Sequence, residues 1–325
     1  MRYSRQLALD VIGKKGQDKL NKSSITIIGC GTLGTNSAEL LSRAGVGNIF
    51  IIDNEKIELS NLQRQSLFTE KDIGKYKVDT AKKRLKEINS KINIKTSKDY
   101  LNNKNINRLI KKTDLILDCV DNLETRFLIN DFAKKNKIIW IHAAAIKTKG
   151  FMFNILPGKA CLTCFMKKTN DTERCEDVGV LNTITNIISS LQTTQTIKIL
   201  LNKNPENDLI RFDAWENKFE KIKVNKNKKC DACNGKYKFL EKKTDFYVKH
   251  CKTKAAFSAK PKTRMNLDLN KIKNKFKTKL ESSILLILDV EGGIIVHKYG
   301  ELIFKKLNNE KKVKEISEKI YSIGR

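Results

Sequence analysis

No apolar run in the sequence is long enough to cross a bilayer, which argues against a chain that spans a membrane by helices. The first residues, Met1-Arg2-Tyr3-Ser4-Arg5, are charged and open an amphipathic pattern rather than the apolar core of a signal peptide, so a cytoplasmic chain is expected. No internal repeat is present. Histidine is scarce, three in 325 residues. His142 closes an apolar strand and reads as a packed side chain rather than a base, and His250 and His297 stand in no motif. Acidic residues are outnumbered, 36 Asp and Glu against 65 Lys and Arg, for a formal net charge of +29. Such a balance invites a nucleic-acid reading. The lysines are scattered, however, as in Lys82-Lys83, Lys134-Lys135 and Lys226 to Lys229. A solvated surface therefore comes first, an acidic protein partner second and nucleic acid third.

Against these absences stand 40% hydrophobic residues in a chain suited to one large domain with a small appendage. The division is expected at 1–240 and 241–325. Ile25-Thr26-Ile27-Ile28 reads as a buried strand running into Gly29-Cys30-Gly31-Thr32-Leu33-Gly34, and Ala38, Leu41 and Ala44 continue as a helix. This is the strand, glycine turn and helix of a dinucleotide fold, in which Gly29, Gly31 and Gly34 let the backbone approach a phosphate at a helix N-terminus. A second apolar strand, Ile49 to Ile52, ends in Asp53, placed to accept hydrogen bonds from a ribose or, more simply, to cap a loop.

A nicotinamide enzyme needs no more than this, and the sequence has more. Asn61-Leu62-Gln63-Arg64-Gln65, Gly74-Lys75-Tyr76-Lys77 and Leu117-Asp118-Cys119-Val120-Asp121-Asn122 bring two cations and a carboxylate to the same strand ends. Arginine and lysine donate charge-assisted hydrogen bonds to phosphate oxygens, and a carboxylate at a strand end can hold magnesium. Adenylyl transfer uses such equipment; hydride transfer does not.

Eight cysteines in a cytoplasmic chain point to metal or catalysis before disulfides. Cys161-Leu162-Thr163-Cys164 and Cys230-Asp231-Ala232-Cys233 have knuckle spacing and together complete a four-sulfur site, although one pair could instead be redox-active. Cys30 and Cys119 read as small buried hydrophobes beside the nucleotide, and Cys251 stays undecided.

In order and spacing, the motifs from Arg2-Tyr3-Ser4-Arg5-Gln6 through Cys233 resemble the ThiF/MoeB-type adenylyltransferases, relatives of ubiquitin-activating enzymes. The resemblance implies adenylation of the C-terminal glycine of a ubiquitin-like sulfur-carrier protein ending in Gly-Gly, using ATP and Mg2+. The product would feed thiamine, molybdopterin or thiolated-tRNA synthesis, with a sulfurtransferase as possible donor. It implies that Arg64 and Lys77 contact phosphates, Asp121 with Asn122 beside it serves magnesium, Asp53 the ribose, and Asn61 the α-phosphate region. Arg5 would reach ATP in the partner subunit of a homodimer. The two cysteine pairs would hold structural zinc. Arg126, Asn130 and Gln63 match positions near the family's site but are equally able to make structural hydrogen bonds. Cys175, in Arg174-Cys175-Glu176-Asp177-Val178-Gly179-Val180, resembles a crossover-loop cysteine that joins the carrier covalently in some members and is dispensable in others. The chain departs from the family at Thr32, where a second glycine is common, and at Thr183 and Asn186, where a proline and a glycine are. A tRNA threonylcarbamoyladenosine dehydratase of the same superfamily and a noncatalytic nucleotide-fold scaffold are the competing readings.

The fold class expected is α/β: a Rossmann-like, mostly parallel sheet with flanking helices, zinc knuckles and a small α+β module at the C-terminus. Residues 1 to 22 form a helical lead-in with Leu7, Val11 and Ile12 on one face. Helices near 76–89 and 124–135 alternate with strands near 92–97, 114–119 and 138–142, then a strand at Phe151 to Leu156 and a Pro157-Gly158 turn. An exposed crossover loop is expected over 166–178, a long apolar helix over Leu181 to Leu201, a strand at Leu209 to Trp215, and a linker over 234–262. The module continues with a basic helix at Asn270 to Leu280, short strands at Ile284 to Val290, Ile294 to His297 and Leu302 to Phe304, a Gly292-Gly293 hairpin, and a helix at Lys311 to Ile323. This tail resembles the small C-terminal segment of some thiazole-type adenylyltransferases.

Overall fold

The computed structural model describes residues 2–166, 179–241, 246–251, 256–261 and 265–324. They fall into two compact units, Met1–Lys242 and Lys243–Arg325. Cys175 and all of the expected crossover loop beyond Met166 lie outside the described residues.

The first unit is built on an eight-stranded sheet of order β3-β2-β1-β4-β5-β6-β7-β8. Strands β1 (Ser24–Ile28), β2 (Asn48–Ile52), β3 (Asn93–Ser97), β4 (Leu115–Asp118) and β5 (Ile139–Ile146) are parallel. Strands β6 (Lys149–Ile155), β7 (Leu209–Asp213) and β8 (Lys218–Ile222) continue antiparallel. The central strands are nearly unbroken Ile and Leu because helices cover both faces. Alternation sorts those side chains: Ile25, Ile27, Leu115 and Leu117 enter one core with helices α3 (Thr32–Ala44), α4 (Lys77–Ile88) and α8 (Asn182–Leu200). Ile116 and Trp140 enter the other with α5 (Ile106–Leu109) and α6 (Leu123–Asn136).

The N-terminal lead-in is two helices, α1 (Ser4–Leu7) and α2 (Gly13–Lys22), separated by a turn in which Gly13 has φ +57°. Its expected apolar face is corrected: Val11 is 65% exposed, and the side chains that bury are Gln17 and Leu20. Helix α8 stands where the long apolar helix was expected and enters the core through Ile184, Ile188 and Leu200, but its buried face is mixed. Its buried face carries Thr185, Ser189, Gln192 and Thr196 beside Ile184 and Ile188. These meet polar partners on α3: Asn36 Nδ2 donates to Asn186 Oδ1 at 2.6 Å and Ser37 Oγ to Gln192 Oε1 at 3.0 Å. Asn186, where a glycine is common, thus has a partner. A short helix α7 (Leu162–Phe165) carries the first cysteine pair.

The second unit is a six-stranded antiparallel sheet of order β11-β12-β13-β14-β10-β9. Part of the expected linker is strand instead, β9 (Phe246–Cys251) paired with β10 (Ala256–Pro261). The expected basic helix stops early as α9 (Leu269–Lys273), capped by Asp268, and its remainder forms β11 (Thr278–Glu281). Strands β12 (Leu285–Leu288), β13 (Ile294–His297) and β14 (Leu302–Phe304) and helix α10 (Glu310–Gly324) follow as expected. Their core contains Leu286, Leu288, Ile294, Val296, Leu302, Phe304, Ile272 and Tyr321.

Candidate active site

The carboxyl ends of β2, β1 and β4 lie side by side, the place where an open parallel sheet takes its ligands. Gly29 has φ +96°, and a Cβ there would meet Cys119 O at 2.4 Å. A Cβ on Gly34 would meet Gly29 O at 2.0 Å, so the turn and α3 close only on glycine at both positions. Gly31 differs. It precedes the first residue of α3, and a Cβ there would find nothing nearer than Gln65 Nε2 at 3.9 Å. The space above the free N–H groups of α3 is therefore open, as a phosphate requires.

Asp53 closes the neighbouring strand. Its Oδ2 accepts from Cys30 N at 2.6 Å and its Oδ1 from Glu55 N at 2.7 Å, so the carboxylate ties the glycine turn to β2. Burial pushes its carboxyl up, with Lys77 opposing. Lys77, first residue of α4, is 4% exposed, and its Nζ donates to Glu55 Oε2 at 2.9 Å. Burial alone would lower the ammonium's pKa, but Glu55 and Asp53 outweigh it and the net shift is upward. Lys77 is thus buried and favoured as a cation beside the turn. Glu55, its partner, carries no motif and was missed in sequence.

The excursion between Asp53 and Lys77 closes on itself. Ile57 N donates to Lys75 O, Gly74 N to Ile57 O and Lys77 N to Glu55 O. Inside it, Asn61 Oδ1 accepts from Glu58 N at 3.2 Å and holds a one-turn helix, Leu59–Asn61. Arg64 Nη1 donates to Ser60 O at 3.0 Å, and no carboxylate among the described residues pairs with this guanidinium. Gln63 is exposed, and its carbonyl accepts a long bond from Asn182 Nδ2 at 3.4 Å. Gln65, which closes the Asn61-Leu62-Gln63-Arg64-Gln65 motif without a role of its own in sequence, is 3% exposed, and its Oε1 is buried without a hydrogen-bond partner in the described structure.

At the end of β4, Asp121 is exposed and receives one bond, from Asn122 Nδ2 at 3.3 Å. Asn122 caps α6, its Oδ1 accepting from Thr125 N at 2.9 Å. His142, expected to be packed, is buried against Asp118, and Arg126 turns inward to the same carboxylate. Cys30 and Cys119 are buried, with thiols pushed far up by burial. Arg5 is not brought to this cluster. On α1, Gln6 Nε2 donates to Ala44 O at 2.9 Å, at the far end of α3, and the preceding Tyr3 Oη accepts at 2.9 Å from Asn89 Nδ2, the C-cap of α4. The 13 residues of α3 separate the two ends by about 20 Å.

The two cysteine pairs meet. Cys161, Cys164, Cys230 and Cys233 place their sulfurs within 4.8 Å of one another, with close approaches of 3.5, 3.6, 3.6 and 3.9 Å. Four thiolates at about 2.3 Å from one zinc would stand about 3.8 Å apart, so the set fits a tetrahedral ion. Burial and the neighbouring sulfurs push the Cys161 thiol up and burial takes Cys230 up to about 11, whereas at Cys164 burial is outweighed by hydrogen bonds led by the Cys161 amide, which bring it down. Asn130, one turn beyond Arg126 on α6, braces the first pair. Its Nδ2 donates to Thr163 Oγ1 at 2.9 Å and its Oδ1 accepts from Leu162 N at 3.1 Å.

The model of the ThiF family matches residues 3–232. The sulfur carrier protein ThiS adenylyltransferase of Bacillus subtilis is 36% identical over 241 residues, 72% of this chain and 72% of that protein. The protein of the same name from Escherichia coli is 34% identical over 239 residues, 72% of this chain and 95% of that protein. The adenylyltransferase and sulfurtransferase MOCS3 of Culex quinquefasciatus is 37% identical over 241 residues, and the match covers 72% of this chain but 55% of that longer protein. Among solved structures, E. coli MccB with MccA-N7isoASN superposes with a TM-score of 0.65 at 24% identity, covering 72% of this chain and 75% of that one, a likeness of fold alone.

Proposed function

This chain belongs to the ThiF family, and from that premise we propose that it is an ATP-dependent adenylyltransferase acting on the C-terminal glycine of a ubiquitin-like sulfur-carrier protein. The observation that carries the reading is the meeting of the open α3 N-terminus at Gly31 with Lys77, buried as a cation, on the strand ends that also present Asp121. The family model's match, residues 3–232, contains all of these residues, and relatives named as sulfur-carrier adenylyltransferases match 72% of the chain.

In this reading the α3 amides, Arg64 and Lys77 take the phosphates of ATP, and the amide nitrogen of Gln65, the group nearest to Gly31, is a further donor at the same turn. Asp53, Asn61 and Asn122 line the same site. Asp121 is the residue offered to Mg2+, which supplies charge neutralisation on the polyphosphate when bound. An oxygen of the carrier's terminal carboxylate attacks the α-phosphorus. That P–O bond forms as the bond to the β-phosphate oxygen breaks, and pyrophosphate leaves with the electron pair. What the protein contributes is alignment and cation donors aimed at the developing charge.

The distance of Arg5 from its own glycine turn supports a homodimer in which it serves the partner's site. The sulfur spacing supports zinc at the four cysteines, and a reduced thiol cluster suits a cytoplasmic location. Cys175 is proposed as a thiol acting after adenylation, with a sulfurtransferase as donor. We assign the adenylation domain to 1–240 and leave 241–325 as a separate module. ATP–pyrophosphate exchange tests the reading: exchange that depends on a carrier ending in Gly-Gly supports it. Exchange or ATP turnover that depends on tRNA instead would move the chain to the dehydratase class.

A further inference from the structure

Beneath the exposed Asp121 lies a buried charged network that the transfer step does not itself use. Asp118, Arg126 and His142 are 0%, 7% and 2% exposed. Asp118 Oδ2 accepts from Arg126 Nε and from His142 Nδ1, each at 2.8 Å, and its Oδ1 accepts from Val120 N at 3.1 Å. Arg126 Nη2 donates to Val120 O at 2.6 Å and to Ala143 O at 3.2 Å. Gln192, from α8, donates to Asp118 O and Ile141 O, both at 3.2 Å. Cys119 N donates to Ile28 O at 2.9 Å, and Asn122 is fixed as the cap of α6.

Every residue around Asp121 is therefore pinned through its backbone or its side chain, and Asp121 alone in the turn presents its carboxylate outward. A carboxylate only accepts, so His142 Nδ1 carries the proton that it donates to Asp118. Burial raises the Asp118 carboxyl, but Arg126 and His142 outweigh it and hold it ionised; burial and Arg126 keep His142 below its ordinary value. A buried ion pair of this kind contributes little net stability compared with apolar residues of the same volume. Its geometric effect is large: both polar backbone atoms of Val120 are held by one interlocked pair.

We propose that Arg126, Asp118 and His142 are positioning residues that hold the Val120–Asp121 turn so that the Asp121 carboxylate meets the magnesium of MgATP. This rests on the reading of Asp121 as that cation's ligand. The test is calorimetric binding of a non-hydrolysable ATP analogue across a magnesium titration, with exchange activity alongside, for Arg126→Gln, His142→Leu, His142→Gln and Asp121→Ala. Arg126→Gln and His142→Leu should raise the magnesium concentration at half-saturation by about tenfold, as loss of a residue supporting a metal ligand does. Binding measured without magnesium should stay near wild type, and His142→Gln, which keeps a donor, should recover most of the loss. If Arg126→Gln does not fold, the His142 pair carries the test, because Arg126 still neutralises Asp118. Folded variants with wild-type magnesium half-saturation, beside a shifted Asp121→Ala, would overturn the positioning role and leave the Asp121 assignment standing. A wild-type value in Asp121→Ala itself would remove both.

Discussion

Asp131 fastens the chain that follows the second cysteine pair, and its charge makes that attachment sensitive to pH. It is 3% exposed, and its Oδ2 accepts from Phe239 N at 2.8 Å beneath a Phe239 ring stacked on Phe127 at 4.8 Å. Burial pushes the carboxyl up to about 6 from an ordinary 3.8, against the pull of the Phe239 and Leu240 amides. A folded-state value above the unfolded one means that the folded protein holds the proton more tightly. The group's contribution to stability is thus complete below about pH 4 and is lost as pH rises through about 6. Linkage between those two values amounts to at most ~3 kcal/mol over the whole window, and to ~1.4 kcal/mol between about pH 5 and about pH 7.5. Asp131→Asn keeps an acceptor for Phe239 N but carries no charge. Relative to wild type, the variant should therefore gain ~1.4 kcal/mol across that interval, roughly 3–6 °C in melting midpoint for a unit of this size. Scanning calorimetry of both proteins at about pH 5, 6 and 7.5 reads the gap. A gap that stays constant, or shrinks toward neutral pH, would show instead that the Asp131 carboxylate is solvated in the folded state.

Freshly purified, reduced protein should contain one zinc per chain by metal analysis, and Cys161→Ser or Cys230→Ser should lose it together with stability; zinc-free wild type would contradict this. Mixing inactive Arg5→Ala with inactive Asp121→Ala should restore part of the exchange activity, because some heterodimers contain one site with both residues. Verified subunit exchange without recovery would argue against a shared site. Cys175→Ser should keep pyrophosphate exchange yet form no reductant-sensitive adduct with the carrier and transfer less sulfur, since a thiol takes no part in making the anhydride. Wild-type sulfur transfer in that variant would make the thiol structural or redundant.

The parts of the molecule legible in sequence were those written in local pattern. The Ile-rich strands, the glycine turn and the two CxxC spacings each encode their structure within a few residues. Lys77 was visible as a lysine in a motif, but its burial was not, because Glu55 and Asp53 reach it across a closed loop. The network at Asp118 was illegible for the same reason: Arg126, His142 and Gln192 come from three different elements. Helix α8 was legible as an apolar helix through Ile184, Ile188 and Leu200, but not the polar residues that share its buried face, such as Gln192, which is matched by Ser37 on α3. In the second unit, lysine-rich residues after Asn270 suggested one helix, yet pairing of Thr278–Glu281 with β12 overrides local propensity.

Attack by a carrier's terminal carboxylate on ATP, served by Arg64, Lys77 and Asp121, is the step proposed for this chain. The most direct measurement is the intact mass of a Gly-Gly carrier protein after incubation with MgATP and this chain, with inorganic pyrophosphatase present. The expected product is a carrier bearing one AMP on its C-terminal glycine, and none when the enzyme is folded Asp121→Ala or Arg64→Ala or when the carrier lacks that glycine. An adenylated carrier formed at wild-type rate by both variants, or no adduct with any such carrier, would contradict it.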